Sequence, residues 1–135
     1  MVKKKAENTS DPKFNGIRLQ YDADEEDIYD YVCYDVRRVL QEIGKYDFNS
    51  KPKDNLSTQQ FKAYDDGHKY FGQVNPQTNK YEGQGIYVFG SDSSIYEGFF
   101  RNNLANGRGR KIYANAEVYQ GEWRNFKRHG FGIHL

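Results

Sequence analysis

One short pattern recurs three times in the second half of this 135-residue chain, and it limits the possible fold more than any other feature. Each copy has a Tyr-x-Gly triplet followed by a Gly-x-Gly triplet; the copies begin at Tyr70, Tyr96 and Tyr119. The two triplets are nine residues apart in the second and third copies and eleven in the first, which predicts an insertion around Asn75-Pro76. Repeats of this length indicate small units that stack side by side.

Each copy is predicted to form a β-hairpin. The Tyr-x-Gly part alternates aromatic and polar residues as a strand does, and polar turns at 101–103 and 124–125 precede the returning Gly-x-Gly strand. Paired glycines weaken a strand unless another group must approach the backbone closely. We expect aromatic rings of the neighbouring unit to lie there, since aromatic residues make up 16% of the chain. Stacked hairpins would then share one aromatic core.

These residues resemble a MORN repeat, most clearly from Tyr119 to Gly132. The second copy has Phe100 in place of the usual Trp and the first has Val74, while Phe126 replaces a turn glycine and predicts a looser turn there. The resemblance implies a scaffold fold of antiparallel hairpins. It assigns the repeat core to these residues: Tyr70, Gly72, Gly83, Gly85, Tyr96, Gly98, Phe100, Gly107, Gly109, Tyr119, Gly121, Trp123, Gly130 and Gly132.

The first half of the chain lacks this repeated pattern of glycine and aromatic residues. We predict a flexible tail over residues 1–22, an amphipathic helix over 23–44, a linker over 45–60 and the repeat domain over 61–135. Asp22 and Glu25 resemble a capping box at the start of the helix, and Gly44 suits its end. The fold class is therefore α+β, with one helix before a sheet of three hairpins.

The predicted helix carries one apolar stripe, with residues spaced by three and four. Its members are Ile28, Val32, Val36, Val39, Leu40 and Ile43. Such a stripe either packs on the chain's own sheet or docks into a groove on a partner. The sequence leaves both alternatives open.

The sequence offers no chemistry typical of an enzyme or a cofactor site. Gly-x-Gly also begins dinucleotide-binding loops, but Val88, Ile112 and Leu135 stand where the third glycine belongs. The single Cys33 excludes an internal disulfide, and the three histidines have no ligand-like spacing. We predict no catalytic, cofactor-binding or metal-binding residues, and no nucleic-acid partner because the net charge is only +1.

A local excess of basic residues lies in the second and third repeats. Residues 96–135 contain seven Lys and Arg but only three Glu. The basic residues are Arg101, Arg108, Arg110, Lys111, Arg124, Lys127 and Arg128. Such residues keep an exposed sheet edge soluble, which is our preferred explanation. The alternative is a weak contact with acidic phospholipids, which the family resemblance also implies.

The expected function is a non-catalytic scaffold that binds protein subunits of a large complex. The last hairpin leaves an open sheet edge, which we expect a second copy or another subunit to cover. The resemblance implies a cytoskeletal setting, most often a ciliary or flagellar axoneme with radial-spoke-like assemblies. A peripheral adaptor for acidic lipids and an accessory subunit of another complex, such as a mitochondrial one, are the alternatives; the N-terminus lacks a typical presequence.

Overall fold

The structure is a computed structural model that describes residues 9–10, 18–19, 28–57 and 59–135. The predicted tail and the predicted helix start at 23–27 therefore lie largely outside the described residues. The elements, in chain order, are β1 (Thr9–Ser10), β2 (Arg18–Leu19), a 3-10 turn (Tyr29–Tyr31), α1 (Tyr34–Ile43), β3 (Gln60–Ala63), β4 (Lys69–Val74), β5 (Tyr81–Val88), β6 (Ile95–Arg101), β7 (Leu104–Ile112), β8 (Val118–Arg124) and β9 (Lys127–His134).

Strands β3 to β9 form one antiparallel sheet in which every strand pairs with its neighbours in sequence. The three predicted hairpins are β4–β5, β6–β7 and β8–β9. The short strands β1 and β2 pair separately. The predicted α+β class, with a helix before a sheet of hairpins, is confirmed.

Two of the hairpins turn in two residues with positive φ, the geometry that matches the twist of paired strands. Asn102 and Asn103 have φ of 51° and 72°, and Asn125 and Phe126 have 51° and 65°. The looser turn predicted at Phe126 is therefore wrong. The Phe126 ring lies 5.2 Å from the Tyr87 ring, so aromatic contacts offset its unusual backbone conformation.

The predicted continuous helix is wrong in the described part of its range. Residues 29–31 form a 3-10 turn, and the chain is extended at Val32 and Cys33 before α1 begins. The break is held by a hydrogen bond of 3.1 Å from the Cys33 N–H to the carbonyl of Ser93, between β5 and β6. A tertiary contact thus interrupts a segment that helical periodicity alone predicts to be continuous.

Each face of the sheet has its own core. One face, called here the helix face, packs under α1 and holds Ile28, Val32, Val36, Val39, Phe61, Ala63, Phe71, Ile86, Val88, Ile95, Ile112 and Val118. The other, called here the aromatic face, holds Tyr64, Tyr70, Val74, Tyr81, Tyr96, Phe100, Ala105, Tyr119 and Trp123. The core of the helix face is mainly aliphatic, although it includes Phe61 and Phe71, and the core of the aromatic face is mainly aromatic.

The second glycine of each Gly-x-Gly belongs to a row that crosses the sheet. Successive strands from β4 to β9 pair the glycines Gly72, Gly85, Gly98, Gly109, Gly121 and Gly132. A Cβ on any of the six would fall within 3.1 Å of an atom in the repeat tyrosine of the same hairpin. The expectation that a neighbouring unit supplies the ring is wrong, because each tyrosine folds over its own hairpin.

The first glycine of each Gly-x-Gly has a different role. Gly83, Gly107 and Gly130 have φ of 75°, 94° and 64°, which glycine adopts more readily than other residues. Each lies where the register of its hairpin shifts. In each Gly-x-Gly, the first glycine thus allows a positive φ and the second leaves room for the tyrosine ring.

Candidate interaction surface

The repeat residues on the aromatic face fill a continuous core. Val74, Phe100 and Trp123, which are equivalent in the three copies, are all buried there. The Trp123 ring packs edge-on to Tyr96 at 5.4 Å, and its Nε1–H donates to the Gly109 carbonyl at 3.0 Å. This face is closed by its own side chains and leaves its tyrosines little solvent contact.

Burial alters the acidity of these tyrosines. Desolvation raises the pKa of Tyr70, Tyr81 and Tyr96 well above the ordinary value, and raises that of Tyr87 to about 12. The Tyr70 hydroxyl donates to the Gln73 carbonyl at 2.6 Å, as the Tyr96 hydroxyl does to Phe99. These phenols therefore remain neutral hydrogen-bond donors and are suited to structure.

On the helix face, a segment called here the strap, residues 44–57, crosses the strands beside α1. It contains no helix or strand, and it is tied to the sheet by a buried ion pair. Glu97 and Arg110 lie 2.7 Å apart, and Arg110 also donates to the Gly44 carbonyl at 2.7 Å. The second Glu97 carboxylate oxygen accepts from the Tyr29 hydroxyl and the Tyr46 N–H.

Two buried glutamines continue this attachment across the next strands. Gln84 donates to the Ser50 carbonyl at 2.9 Å, and Gln73 exchanges hydrogen bonds of 2.8 and 3.1 Å with the backbone of Lys53. Polar groups buried in a sheet are stable only when paired, and here the strap backbone supplies the partners. The strap is thus a fixed layer of the fold.

The apolar stripe also packs inward. Ile28 and Val36 have no exposed surface, and Val32 and Val39 are buried in the same core. Leu40 is partly buried against it, and only Ile43 is largely exposed, at 42%. The stripe predicted as a candidate partner-binding helix therefore covers the chain's own sheet, because the aliphatic rows of β3 to β8 offer it a core.

The seven predicted basic residues do not form one patch. Arg110 is buried with Glu97, and Arg108 lies on the helix face, 4.8 Å above the Phe99 ring. Lys111 and Arg128 lie on the aromatic face over the Tyr113 ring, where burial lowers the Lys111 pKa. The remaining three are exposed: Arg101, Arg124 and Lys127. Alternation along the strands separates residues that are close in sequence.

His68 and Cys33 make hydrogen-bond contacts within the fold. His68 accepts the Gly90 N–H at its Nδ1 at 2.9 Å, and the Cys33 thiol lies 3.9 Å from the Ala114 carbonyl. Among the described residues, no three His, Cys or carboxylate side chains are grouped as a metal ion requires. No helix in the described part of the chain is long and apolar enough to cross a membrane.

Strand β9 differs from every other strand of the main sheet, because all eight of its residues are exposed. It forms one edge of the sheet and pairs, within the described residues, with β8. Phe131 is 88% exposed, Ile133 57% and the following Leu135 63%. Apolar side chains so exposed on an open edge are typical of an interaction surface.

An open groove of about 510 Å³ runs between β9 and the strap. Phe131 and Ile133 line it from β9 and Glu122 from β8. Tyr46 and Asp47 of the strap and Arg108 of β7 also line it. The strap hydrogen-bonds to strands from β4, through Gln73, to β7, through Arg110, and the groove opens beyond it over β8 and β9. It combines an apolar wall with the unpaired backbone of an edge strand.

The sequence predicted an open edge at the last hairpin but missed its exposed apolar side chains, and it also missed the strap contacts. A signal for the edge was present, since Phe131 and Ile133 occupy the repeat positions of Arg108 and Arg110. A third copy with apolar residues where the second has basic ones indicates a changed environment. The strap contacts carried a weaker signal, namely polar residues at inward positions of strands.

Comparison with known proteins gives one clear result. No curated protein matches the chain significantly. The sequence model of the MORN repeat matches three consecutive segments, residues 79–94, 96–116 and 119–134. The first segment omits Tyr70 and Gly72, although the structure forms their hairpin fully. Residues 79–134 are therefore three consecutive MORN repeats, which confirms the resemblance for this part of the chain.

Proposed function

We propose that this chain is a non-catalytic structural subunit that holds protein components of a large assembly together. MORN repeats are generally interaction motifs for proteins or membranes. The observation that carries the proposal is β9, an edge strand with three exposed apolar side chains on or next to it beside an open groove. Exposed apolar surface on a sheet edge is costly in a free protein and useful in a bound one.

The buried polar groups support a structural role over a catalytic one. Glu97 and Arg110 face each other and the strap, and Gln84 binds the Ser50 backbone. A catalytic group needs access to a substrate, whereas these side chains are saturated by internal hydrogen bonds. The same groups serve a scaffold well because they fix the strap and thereby one wall of the groove.

The setting we propose is the cytoskeleton, with a ciliary or flagellar axoneme and radial-spoke-like assemblies first and a mitochondrial complex second. The occurrence of MORN-repeat proteins in such structures supports it. The test is gentle extraction of the endogenous protein, followed by sizing and mass spectrometry of the co-eluting chains. We expect a megadalton fraction with axonemal subunits; elution as a free monomer would remove the proposal.

A second candidate function is that of a peripheral adaptor for acidic phospholipids. It is favoured by an open pocket of about 470 Å³ where Lys53, Arg101 and Arg108 converge. None of the described residues that line this pocket is acidic. We expect Lys53→Glu with Arg101→Glu to abolish any sedimentation with phosphatidylserine vesicles, and Arg124→Glu to serve as the matched control. Equal sedimentation of all three proteins would exclude this candidate.

A further inference from the structure

We propose that β9 binds an extended acidic segment of a partner protein, which adds to the sheet as its next strand. The inference rests on the proposed function and names the chemistry of the partner. An edge strand presents unpaired backbone donors and acceptors, and an added strand satisfies them with main-chain hydrogen bonds. All residues of β9 are exposed, and no strand among the described residues pairs with its outer edge.

The two faces of β9 have different chemistry. Phe131 and Ile133 lie on the helix face, where they line the groove beside the strap. Arg128 and His134 lie on the aromatic face, with the Arg128 guanidinium 4.4 Å from the Tyr119 ring centroid and the His134 ring at 5.5 Å. The Arg128 Nη1 and the His134 Nε2 are 3.0 Å apart, and the Arg128 Nε donates to the Tyr113 hydroxyl at 3.1 Å, so the side chains of two residues six positions apart meet on this face.

A complementary strand must therefore alternate. Its apolar side chains would face Phe131 and Ile133 and extend the wall of the groove, because residues paired across strands share a face. Its carboxylates would fall on the opposite face, beside Arg128. Since residues alternate between faces along a strand, one segment with apolar residues and acids in alternation meets both requirements.

Charge also separates this partner from a second copy of the chain. Strand β9, from Lys127 to His134, contains Lys127, Arg128, His129 and His134 and no acidic residue. Pairing two such strands brings like charges together without any carboxylate to offset them, and like charges across strands are destabilising. An acidic strand instead places its carboxylates on the face where Arg128 lies.

The probe is a fluorescein-labelled ten-residue peptide of alternating valine and glutamate, titrated into the full chain. We expect fluorescence anisotropy to detect binding and hydrogen exchange of the β9 amides to slow. A matched peptide of alternating valine and lysine should bind at least about tenfold more weakly. Phe131→Asp should weaken the glutamate peptide about tenfold, whereas Tyr34→Asp, at an aromatic residue 76% exposed on α1, should not.

Arg128→Gln is a second variant, which leaves the apolar side chains of β9 unchanged. It should reduce the preference of the chain for the glutamate peptide over the lysine peptide. Equal binding of both peptides, or equal binding by Phe131→Asp and Tyr34→Asp, would overturn the inference. So would a wild-type dimer in sedimentation that Phe131→Asp dissociates. Extraction separates the two proposals: a Phe131→Asp chain retained in a large assembly leaves the scaffold function standing and removes the β9 site.

Discussion

The ring of Tyr96 lies across Gly109, which faces it from the neighbouring strand of the same hairpin. A Cβ built on Gly109 finds its three nearest atoms in that ring, and Gly98 has the Tyr96 hydroxyl as its nearest neighbour. The hydroxyl then reaches the Phe99 carbonyl at 3.0 Å. Tyrosine and glycine in this repeat therefore form one packing unit, in which the missing side chain makes room for the ring.

Gly109→Ala should destabilise the fold by about 1–3 kcal/mol because the added methyl displaces the Tyr96 ring. Urea denaturation of the wild type and the variant measures the change. In a Tyr96→Leu background the cost of Gly109→Ala should fall, since the ring that it displaces is gone. The matched control is Gly107→Ala, whose cost arises from its φ of 94° and should be the same in both backgrounds. Equal costs of Gly109→Ala in both backgrounds would refute the packing unit.

Trp123→Ala should cost about 3–5 kcal/mol, as expected for loss of a large buried ring. Trp123 is 4% exposed and packs edge-on to Tyr96 and Tyr119. Trp123→Phe keeps a six-membered ring but loses the rest of the indole and its hydrogen bond to the Gly109 carbonyl, so we expect a smaller loss than for Trp123→Ala. Thermal unfolding followed by circular dichroism is the measurement. Identical melting of the wild type and Trp123→Ala would contradict the place of Trp123 in the core.

The hairpins were predictable because their signal is local. Tyr-x-Gly and Gly-x-Gly fix the strands, and the polar turn at Asn102 and Asn103 fixes the reversal. The direction of the Tyr96 ring was not predictable, since sequence spacing does not tell whether a ring covers its own hairpin or the next. At Phe126 the aromatic contacts that hold its positive φ are tertiary, and the turn motif alone does not show them.

The break before the helix and the attachment of the strap were also not predictable from the sequence. Apolar spacing identified Val36 and Val39 as one face but carried no sign of the break at Cys33, which a distant carbonyl of Ser93 holds. Glu97 and Arg110 are charged residues that a sequence places at the surface, yet they are buried against each other and the strap. Contacts between residues far apart in sequence decided both features.

Glu97→Ala should destabilise the protein by about 3–5 kcal/mol because it leaves the Arg110 guanidinium buried without its carboxylate. The strap should also loosen, since Glu97 accepts the Tyr46 N–H and Arg110 binds the Gly44 carbonyl. Hydrogen exchange of the strap amides and urea denaturation measure the two effects.

The control for the buried pair is Asp35→Ala, which removes an exposed pair with Arg38 at 3.5 Å. Its cost should be about 0.5 kcal/mol or less. Adding Arg110→Met to Glu97→Ala should recover part of the lost stability, because no charge then remains buried. If Glu97→Ala costs no more than Asp35→Ala, the ion pair does not hold the strap.

The fold should lose stability as the pH rises above about 10, the pKa of an unfolded tyrosine. Burial raises the pKa of Tyr70, Tyr81 and Tyr96 and brings that of Tyr87 to about 12, so the folded chain keeps protons that the unfolded chain releases. Their contribution is fully present below pH 10 and is lost as the pH rises towards the folded values. Burial also lowers the pKa of Lys69 and Lys111, which acts in the opposite direction and is outweighed by the tyrosines.

Urea denaturation at intervals from pH 8 to 12, with absorbance at 295 nm to follow the phenolates, measures this loss. We expect ionisation of the buried tyrosines to coincide with unfolding, because burial on the aromatic face disfavours the charged phenolate. Tyr87→Phe removes one group with a raised pKa. The number of protons released on unfolding, which sets the slope of the unfolding free energy against pH, should then fall by about one. Ionisation of all twelve tyrosines near pH 10 while the fold remains intact would show that the aromatic face is open to water.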